Sequence, residues 1–523
     1  MKNQDTPKKG ISRRGFLKIL GGFGTVGTTT MLTGCQHFDK AIVGGEGWIP
    51  KQYQRSKYWP AQVRGRIPIH PESVSIDRDD EKCILCGQCI EACRGVQSVF
   101  EHYELPIVDD VICVDCGQCI MWCPTKSITE KSSINQVMEA LENPNKFVVV
   151  QTAPASRVAL GEEFGLPPGT WVQGQQVTAL KELGFDRVFD TNFGADLTIM
   201  EESKEFYKIV TGVYDRPLPL FTSCCPAWVK FCEYYYPDLV HHISSCGSPM
   251  QMVGATVKTY YANAKLNNND PEQIYTVAIM PCTAKKAEAK RPEMNASGRY
   301  WRNENIRDTD AVLTVRELAQ MMKSAGIDVT ALPEKDYDPI LGKSSGGGLI
   351  FGATGGVMEA CMRTAYYWFT KQDLPDEMLD FKPVRSLKAI KEASVEIPGV
   401  GTIRVAVVHG LGNTRVLLDA MRRGEKTGYH MIEVMACPGG CIGGGGQPRS
   451  ALPPNDKLRQ ERIEELYKKD ALMKLRRSHR NPEIKALYEN FYEKPGSKLA
   501  YKLLHPVYPE GRKPRTGNIN ITV

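Results

Sequence analysis

The 523 residues of this chain include seventeen cysteines, and most of them have the spacing of metal ligands. Eight fall in two runs of the form C-x2-C-x2-C-x3-C, which are Cys83, Cys86, Cys89 and Cys93, then Cys113, Cys116, Cys119 and Cys123. Thiolates are soft, anionic ligands, so this register predicts two [4Fe-4S] clusters in which the fourth cysteine of each run binds the other cluster. Cys123 is therefore assigned to the first run's cluster and Cys93 to the second's. Structural zinc is the alternative for such sites.

Three further segments, far apart in the chain, bring cysteine into turns shaped by proline or glycine. They read TSCCPAW at 222–228, MPCTAKKAE at 280–288 and EVMACPGGCIGGGGQP at 433–448. Together they resemble the three signatures of iron-iron hydrogenases, in the family's order and with its flanking residues. The resemblance extends over about 82–508 and implies an H-cluster, a [4Fe-4S] cubane joined to a two-iron unit with CO, cyanide and an aza-dithiolate bridge. The implied ligands, the last of which bridges the two parts, are Cys225, Cys282, Cys437 and Cys441.

The same resemblance implies roles for residues around this cofactor. Lys285 matches the lysine that hydrogen-bonds a cyanide, where a buried cation would stabilise an anionic group. Positions that match the family's cofactor surroundings, including an apolar wall that keeps water from the open iron, are Ala153, Pro154, Ser248, Pro249, Met280, Phe351 and Met435. For the methionines and the phenylalanine, plain core packing is an alternative interpretation. Met250 receives no role, and Glu288 and Glu433 are expected to be structural partners.

Splitting H2 heterolytically also requires a route for protons. Cys224, directly before a predicted ligand, matches the family's proton-relay cysteine, and Glu202, Ser244 and Glu205 match the positions that continue the route outward. Thiol, carboxyl and hydroxyl groups can each give and take a proton. The two glutamates are three residues apart and so share a helix face, with a solvated face as the alternative. Some relatives carry arginine one turn later, where this chain has Ile209, so the outermost step is open.

The elements that must position these residues begin at about residue 146. Apolar strands there each run into a loop and then a helix, as at 146–150, 275–280 and 402–408. This succession predicts parallel α/β layers with functional loops at the carboxyl ends of the strands. The segment Gly410-Leu411-Gly412 lacks the third glycine of a dinucleotide fingerprint and is interpreted as a tight turn.

After Pro448 the composition becomes charged and helical, with an amphipathic stretch at 458–475. This tail resembles the small subunit of two-subunit periplasmic iron-iron hydrogenases, here fused to the large-subunit-like part. His479 and His505 within it are expected to pack and hydrogen-bond rather than to bind metal. The remaining Cys232, Cys246 and Cys361 are expected to be small buried hydrophobes.

We therefore predict three structured regions. An α+β ferredoxin-like 2[4Fe-4S] domain (76–135) is followed by a two-lobed α/β H-cluster domain (140–450) and a helical C-terminal small-subunit-like extension (451–523). Hydrophobic content of 42% is ordinary for a globular protein. A chain of this length exceeds what one core supports, which agrees with several domains.

Residues 1–34 contain six Lys or Arg and one Asp, and so carry most of the formal net charge of +6. The near-neutral remainder does not suggest nucleic-acid binding. SRRGFLK at 12–18 is close to a twin-arginine export motif, and LTGC at 32–35 resembles a lipoprotein-processing box. Residues 1–35 are interpreted as a signal that leaves Cys35 lipid-anchored in the periplasm, followed by a linker at 36–75. For the segment with the twin-arginine motif, the alternative is a basic tail before a transmembrane helix. For LTGC, the alternative is a chance match.

The expected activity is the reversible oxidation of H2 to protons and electrons. Electrons would pass through the two [4Fe-4S] clusters to a periplasmic carrier, for which a multihaem c-type cytochrome suits an exported protein. An H2 sensor of the same family is one alternative, but sensors usually lose the relay cysteine and add a signalling domain. A cluster-assembly relative is another, but it lacks the full MPCTAKK and CPGGCxxGGGQP contexts, and this chain keeps both together with Cys224.

Overall fold

The computed structural model describes residues 65–102, 111–265, 270–449 and 454–508. The predicted export motif and Cys35 lie outside the described residues. The strands are β1 (Ile76–Arg78), β2 (Ile128–Glu130), β3 (Phe147–Thr152), β4 (Arg187–Asp190), β5 (Leu220–Phe221), β6 (Ile274–Met280), β7 (Ala311–Thr314), β8 (Ile390–Ile397), β9 (Gly401–His409) and β10 (Met431–Met435). The α-helices are α1 (Gln88–Glu91), α2 (Gln118–Trp122), α3 (Ile134–Glu142), α4 (Gln173–Glu182), α5 (Thr191–Val210), α6 (Pro226–Tyr235), α7 (Pro249–Thr256), α8 (Ala262–Lys265), α9 (Ala284–Ala289), α10 (Ala296–Trp301), α11 (Val315–Ser324), α12 (Gly346–Leu349), α13 (Gly356–Thr370), α14 (Leu411–Arg422), α15 (Asp456–Leu472), α16 (Pro482–Leu487) and α17 (Lys498–Leu504).

The amino-terminal module holds the two cysteine runs. Strands β1 and β2 pair antiparallel, and α1 and α2 each begin directly after a glycine with positive φ, Gly87 and Gly117. The module starts before the predicted residue 76. Gly65 forms a bridge with Cys86, and the buried Ile67 donates its backbone N–H to a cysteine sulfur of the first run. Residues 65–75 of the predicted linker therefore belong to the module, because the first run needs them to cover its loop.

The first lobe of the following domain is a parallel sheet in the order β4-β3-β6-β7. Its strand β3 is a run of β-branched residues buried on both faces, as parallel strands covered by helices usually are. Val148 and Val150 face the core shared with α4 and α11, and Val149 faces the core shared with α5 and α7. Strand ends of this sheet therefore open toward the long helix α5.

The second lobe has the order β5-β10-β9-β8, in which only β8 runs antiparallel to its neighbour. Helix α13 covers one face of this sheet, and α14 and α6 cover the other. Gly410 has φ 81° at the turn from β9 into α14, which agrees with the interpretation of that segment as a tight turn. Both lobes show the predicted strand–loop–helix succession.

The carboxyl-terminal tail contributes α15, α16 and α17 and packs on the same cores as the two lobes. Its two histidines are buried and hydrogen-bonded to side chains, as expected. Cys232, Cys246 and Cys361 are also buried. Within the described ranges, the helices are all too short or too polar to cross a membrane.

Candidate active site

The three cysteine segments outside the amino-terminal module follow three strand ends. TSCCPAW follows β5, MPCTAKKAE starts on the last residue of β6, and EVMACPGGC starts on β10. Because β6 belongs to the first sheet and the other two strands to the second, the segments meet where the lobes face each other. Crevices at the carboxyl ends of parallel strands are the usual ligand sites of such folds.

Four cysteines of these segments line a single pocket: Cys225, Cys282, Cys437 and Cys441. Burial raises the pKa of all four thiols, and the pKa of Cys282 reaches about 12 because Cys225 adds its charge to that effect. Buried thiolates crowded together need a cation to neutralise them. Four soft sulfur donors around one pocket fit an iron–sulfur cubane, and the backbone N–H of Ala436 points at the sulfur of Cys225 from 3.5 Å.

Glycines let the loop that carries Cys437 and Cys441 approach the neighbouring backbone segments closely. Gly440 has φ 91°, and a Cβ there would lie 2.6 Å from the backbone nitrogen of Thr354. A Cβ on Gly444 would lie 2.1 Å from the carbonyl oxygen of Pro281, beside the Cys282 ligand position. The glycine-rich sequence around Cys441 is therefore required by the close backbone contacts that bring the segments together.

The wall of this pocket is almost entirely apolar. The predicted residues that line it are Ala153, Pro154, Pro249, Met280, Phe351 and Met435. Ser248 is buried at the amino end of α7 but is not among the lining residues. Met250 and Thr191 line the pocket although the sequence analysis gave them no role. In the sequence, the only indication of a role for Met250 is that it directly follows Pro249, which was predicted to lie at the site.

Lys285 is the cation of the pocket. Its Nζ donates to the carbonyl oxygen of Cys224 at 3.1 Å and pairs with Glu288 at 2.7 Å. Burial alone would lower the pKa of Lys285, but Glu288 and the nearby thiols outweigh it and raise that pKa. The ammonium group is therefore held in its charged form at the pocket, where it would favour an anionic ligand. Glu288 is a structural partner, as expected.

Glu433 has a different structural role. Its carboxylate accepts hydrogen bonds from the backbone N–H groups of Gly355 and Met358 at 2.7 Å each. Both groups lie at the start of α13, so the carboxylate caps that helix from strand β10. This fixes the strand end that leads into Cys437.

Cys224 lies beside the ligand cysteines and also lines the pocket. Burial raises its pKa well above the ordinary value, and Glu202 and the neighbouring thiols raise it further. Glu202 lies on α5, fully buried, so the alternative of a solvated helix face is wrong. Burial and then Glu205 raise the pKa of Glu202 to about 8. Ser244 and the Ser223 amide lie close enough to oppose that rise, but neither makes a hydrogen bond of normal geometry with the carboxyl.

Glu205 lies one turn further along α5 and is also buried. Ser244 donates its hydroxyl to Glu205 at 2.7 Å. Ile209, one turn later, is buried in the core. The cation near Glu205 is instead Arg216, which pairs with the carboxylate and donates to the carbonyl oxygens of residues 241 and 243. Sequence analysis missed Arg216 because it reaches the site from the loop after α5 and not from the helix itself.

The family model that describes the iron-only hydrogenase large subunit, C-terminal domain, matches residues 146–445, more than half of the chain. The chain belongs to the iron-iron hydrogenase family. A second model, for the iron hydrogenase small subunit, matches residues 456–510. The chain is accordingly an iron-iron hydrogenase enzyme with H-cluster and iron–sulfur chemistry, whose large- and small-subunit regions lie in one polypeptide.

Named relatives and a solved structure agree with this membership. The NADP-reducing hydrogenase subunit HndD of Solidesulfovibrio fructosivorans is 46% identical over 83% of this chain and 75% of its own length. The periplasmic [Fe] hydrogenase large subunit of Nitratidesulfovibrio vulgaris is 47% identical over 71% of this chain and 85% of its own. A variant of [FeFe]-hydrogenase HydA1 from Chlamydomonas reinhardtii superposes with a TM-score of 0.63 and 39% identity, covering 73% of this chain and 100% of that one.

In this hydrogenase the amino-terminal module abuts the pocket loops directly. Gln97 and Gln118 each donate a side-chain amide hydrogen to a loop carbonyl, at Ala436 and Gly443, both at 2.9 Å. Thr283, next to a pocket cysteine, donates to the carbonyl oxygen of Asp115 at 2.6 Å. The second cysteine run is thus the one nearer to the pocket.

The two runs differ in exposure and in their neighbours. Cys86 of the first run is exposed, whereas Cys116 and Cys119 of the second are buried. The charges that raise the pKa of Cys93, after burial, come from Cys113, Cys116 and Cys119, while Cys123 lies near enough to act on Cys89. The fourth cysteine of each run therefore lies beside the other run.

The tail also contacts the hydrogenase pocket through buried arginines of α15. Arg462 forms a two-point ion pair with Glu162 at 2.7 Å and donates to the carbonyl oxygen of Ile442, next to Cys441. Arg459 packs against Gly439 and Gly443 of the same loop. The tail thereby holds one side of the loop that carries Cys437 and Cys441.

Proposed function

We propose that this enzyme oxidises H2 reversibly to two protons and two electrons at an H-cluster held by Cys225, Cys282, Cys437 and Cys441. The observation that carries the proposal is the convergence of these four thiols on an apolar pocket that also presents Cys224 and Lys285. When bound, the cofactor supplies an open iron position at which H2 is cleaved or formed, with an amine base beside it. The chain's own residues bind and orient it, exclude water and move protons.

Several residues have binding roles in this proposal. Lys285 donates from its charged Nζ to the anionic cofactor, a charge-assisted contact that burial strengthens. Residues that shape the pocket and exclude water from it are Ala153, Pro154, Ser248, Pro249, Met280, Phe351 and Met435. Of these, Ser248 does not line the pocket, and its proposed role is indirect: it is buried directly before α7, whose first residue, Pro249, lines the pocket.

Protons are proposed to pass from Cys224 through Glu202 and Ser244 to Glu205. Cys224 and Glu202 lie close enough for their charges to act on each other. A carboxyl with its pKa near 8 suits proton transfer at neutral pH because it can both hold and release a proton there. Ser244 is in hydrogen-bonding contact with Glu205, which lies at the outer end.

Electrons are proposed to leave through a ferredoxin-like module with two [4Fe-4S] clusters. The second cluster, with ligands Cys113, Cys116, Cys119 and Cys93, would receive them first because its run contacts the pocket loops. The first, with ligands Cys83, Cys86, Cys89 and Cys123, would pass them on because Cys86 is exposed. The H2-sensor alternative is not favoured, since Cys224 and this electron route are both retained.

We further propose a periplasmic enzyme that is exported by the twin-arginine route and anchored through a lipid on Cys35. The sequence motifs in residues 1–35 support this, together with the likeness to a periplasmic hydrogenase subunit. A multihaem c-type cytochrome is the proposed electron acceptor, because soluble ferredoxin and NAD are carriers of the cytoplasm.

Metal analysis and infrared spectroscopy of matured protein test the proposed function. Three cubanes and a two-iron unit require about 14 iron atoms per chain, and CO and cyanide bands must appear. About eight iron atoms without those bands would leave only the amino-terminal module loaded and would refute the proposal.

Variants of the two adjacent cysteines separate relay from ligand. Cys224→Ala should keep all the metal and a normal infrared spectrum, yet lose turnover by about 10²–10⁴-fold in both directions. Cys224→Asp should recover part of the rate because a carboxyl can relay protons. Cys225→Ala should instead lose the cubane. Full turnover of Cys224→Ala would refute the proton route, and bands with negligible wild-type turnover would favour a sensor.

A further inference from the structure

The outer end of the proposed proton route is more branched than the spacing of its residues indicates. Glu205 accepts from the Ser244 hydroxyl, from both the backbone N–H and the hydroxyl of Ser245, and from Arg216. A proton that reaches Glu205 needs a next group that can both take and release it. The position one turn along α5, Ile209, has no such group.

Of the described side chains that contact Glu205, Ser245 and Cys246 also contact a further titratable group, His505. Arg216 keeps its proton, because a guanidinium does not deprotonate in proteins. Cys246 lies 3.9 Å from the carboxylate and 3.9 Å from Nδ1 of His505, so both of its contacts are longer than those of Ser245. The Ser245 hydroxyl, by contrast, donates to Glu205 at 2.9 Å and lies 2.8 Å from Nδ1 of His505.

His505 comes from the tail, and both of its ring nitrogens have partners. Its Nε2 lies 3.0 Å from the carboxylate of Glu201, a neighbour of Glu202 on α5. Glu201 also accepts hydrogen bonds from the Tyr488 hydroxyl and, at 2.8 Å, from the backbone N–H of Gly496. The ring can therefore accept from Ser245 when neutral, or donate to both Ser245 and Glu201 when charged.

A connection to solvent adjoins this group. Tyr501, one turn before His505 on the tail, stacks on its ring at 4.4 Å between centroids and is 41% exposed. The Tyr501 hydroxyl also lies close enough to Ser245 for that side chain to oppose the rise in the Tyr501 pKa that burial causes. Ser245 therefore connects the buried Glu205, the buried His505 and a tyrosine that reaches water.

We propose that His505 holds and returns the proton that leaves Glu205, through Ser245, and that Tyr501 connects Ser245 to solvent. The inference rests on the proposed route through Glu205. In the forward step the O–H bond of the Glu205 carboxyl breaks, Ser245 Oγ gains that hydrogen, and the Ser245 hydrogen moves to Nδ1 of His505. The products are a carboxylate and an imidazolium paired with Glu201, and no electrons move.

Release reverses the second half of this step. The ring returns its proton to Ser245, the Ser245 hydrogen passes to the Tyr501 oxygen, and the Tyr501 hydroxyl proton goes to water. The groups that face His505 from the surrounding elements are Glu201 of α5, Ser245 and Cys246 of the loop before α7, and Tyr501 of α17. Arg216 acts on Glu205 at the far side of Ser245.

Kinetics of His505→Gln test the inference, with His479→Gln as the matched control. His479 is a second buried tail histidine, bonded to Asp373 and Thr364 and apart from the route. His505→Gln should keep the CO and cyanide bands but lose turnover by roughly 10- to 100-fold, with a changed pH profile, because one positioned acid/base group is removed. His479→Gln should keep the CO and cyanide bands, and its turnover and pH profile should match those of wild type. Full turnover with an unchanged pH profile in His505→Gln would overturn the inference.

Chemical rescue separates proton transfer from a structural effect. In His505→Ala, added 4-methylimidazole should restore part of the rate, whereas His479→Ala should not respond. Glu205→Gln shows which proposal fails. If that variant keeps full turnover, the proposed route itself is wrong. If it is slow while His505→Gln is normal, only the role of His505 is wrong.

The protonation of His505 can also be measured without turnover, in protein that lacks the two-iron unit. With ¹⁵N-labelled histidine, the ring signal that disappears in His505→Gln should change between one and two protonated nitrogens as the pH is varied. Ser245→Ala should alter that titration more than Ser244→Ala, because only Ser245 contacts the ring. A His505 ring whose protonation stays constant as the pH is varied could not take and return protons, and the inference would then fail whatever the turnover of the variants.

Discussion

Glu202→Gln should separate catalysis from stability, because the same burial that suits Glu202 to its proposed role also destabilises its charged form. The pKa of this carboxyl is about 8 in the folded protein against an ordinary value of 4.5. Between these values the folded protein retains a proton that the unfolded chain has lost. Folding stability therefore falls as pH rises through this window, by about 1.4 kcal/mol per pH unit.

A glutamine at residue 202 carries no such proton and fills nearly the same volume. Relative to wild type, Glu202→Gln should gain about 3 kcal/mol of stability between pH 5 and pH 8. Turnover should nevertheless fall by about 10²–10⁴-fold, because an amide cannot relay protons. Thermal unfolding of both proteins at the two pH values measures the first effect, in samples that carry [4Fe-4S] clusters but no two-iron unit. Hydrogen evolution by matured protein measures the second.

Infrared spectroscopy provides the direct control. The band of a protonated carboxyl should disappear with a midpoint near pH 8 in wild type and be absent from Glu202→Gln. Glu205→Gln should behave differently, since it removes the partner of Arg216 and should therefore lose stability at neutral pH. The assignment of a raised pKa to Glu202 would be refuted if the stability of wild type and of Glu202→Gln depended on pH in the same way. It would also be refuted if the carboxyl band titrated in the ordinary range of glutamate.

Three further predictions concern the loop, the cation and the anchor. Arg462→Gln leaves the buried Glu162 unpaired and should cost about 3 kcal/mol, with iron lost from the pocket; unchanged melting and iron content would contradict this. Lys285→Gln leaves Glu288 unpaired and should shift or abolish the cyanide bands while the cubane's EPR signal persists; unaltered bands would show that Lys285 does not contact the cofactor. Cys35→Ala should release the enzyme from membranes with its clusters intact, and a mature end elsewhere by mass spectrometry would refute lipidation.

The sequence predicted those parts of the site in which local spacing and chemistry coincide. The strands before Cys282 and before Gly410, and the helix face shared by Glu202 and Glu205, occur where the pattern placed them. Each depends on residues within one or two turns of each other, so that backbone geometry alone relates them. The pocket itself depends on two sheets meeting, which only the resemblance to the family indicated.

Residues that reach the site from distant segments could not be predicted in this way. Arg216 replaces a cation that relatives place on the helix, and no periodicity connects it to Glu205. His505 is 260 residues from Ser245 in the chain, and its bonding role became specific only when the tail was seen to pack on α5. The buried arginines of α15 looked like ordinary charges of an amphipathic helix. Long-range packing decided all three.

Fusion of the tail to the catalytic lobes changes how the site is completed. In a two-chain hydrogenase, the segment corresponding to α15 and α17 must be captured from solution, so the completed fraction depends on the concentration of both chains. Here Arg462 contacts the pocket loop and His505 contacts α5 within one chain. The effective concentration of the tail at these sites is set by the residues that connect it to the lobes, so it does not change on dilution. Each chain therefore carries its own residues for holding this side of the pocket loop.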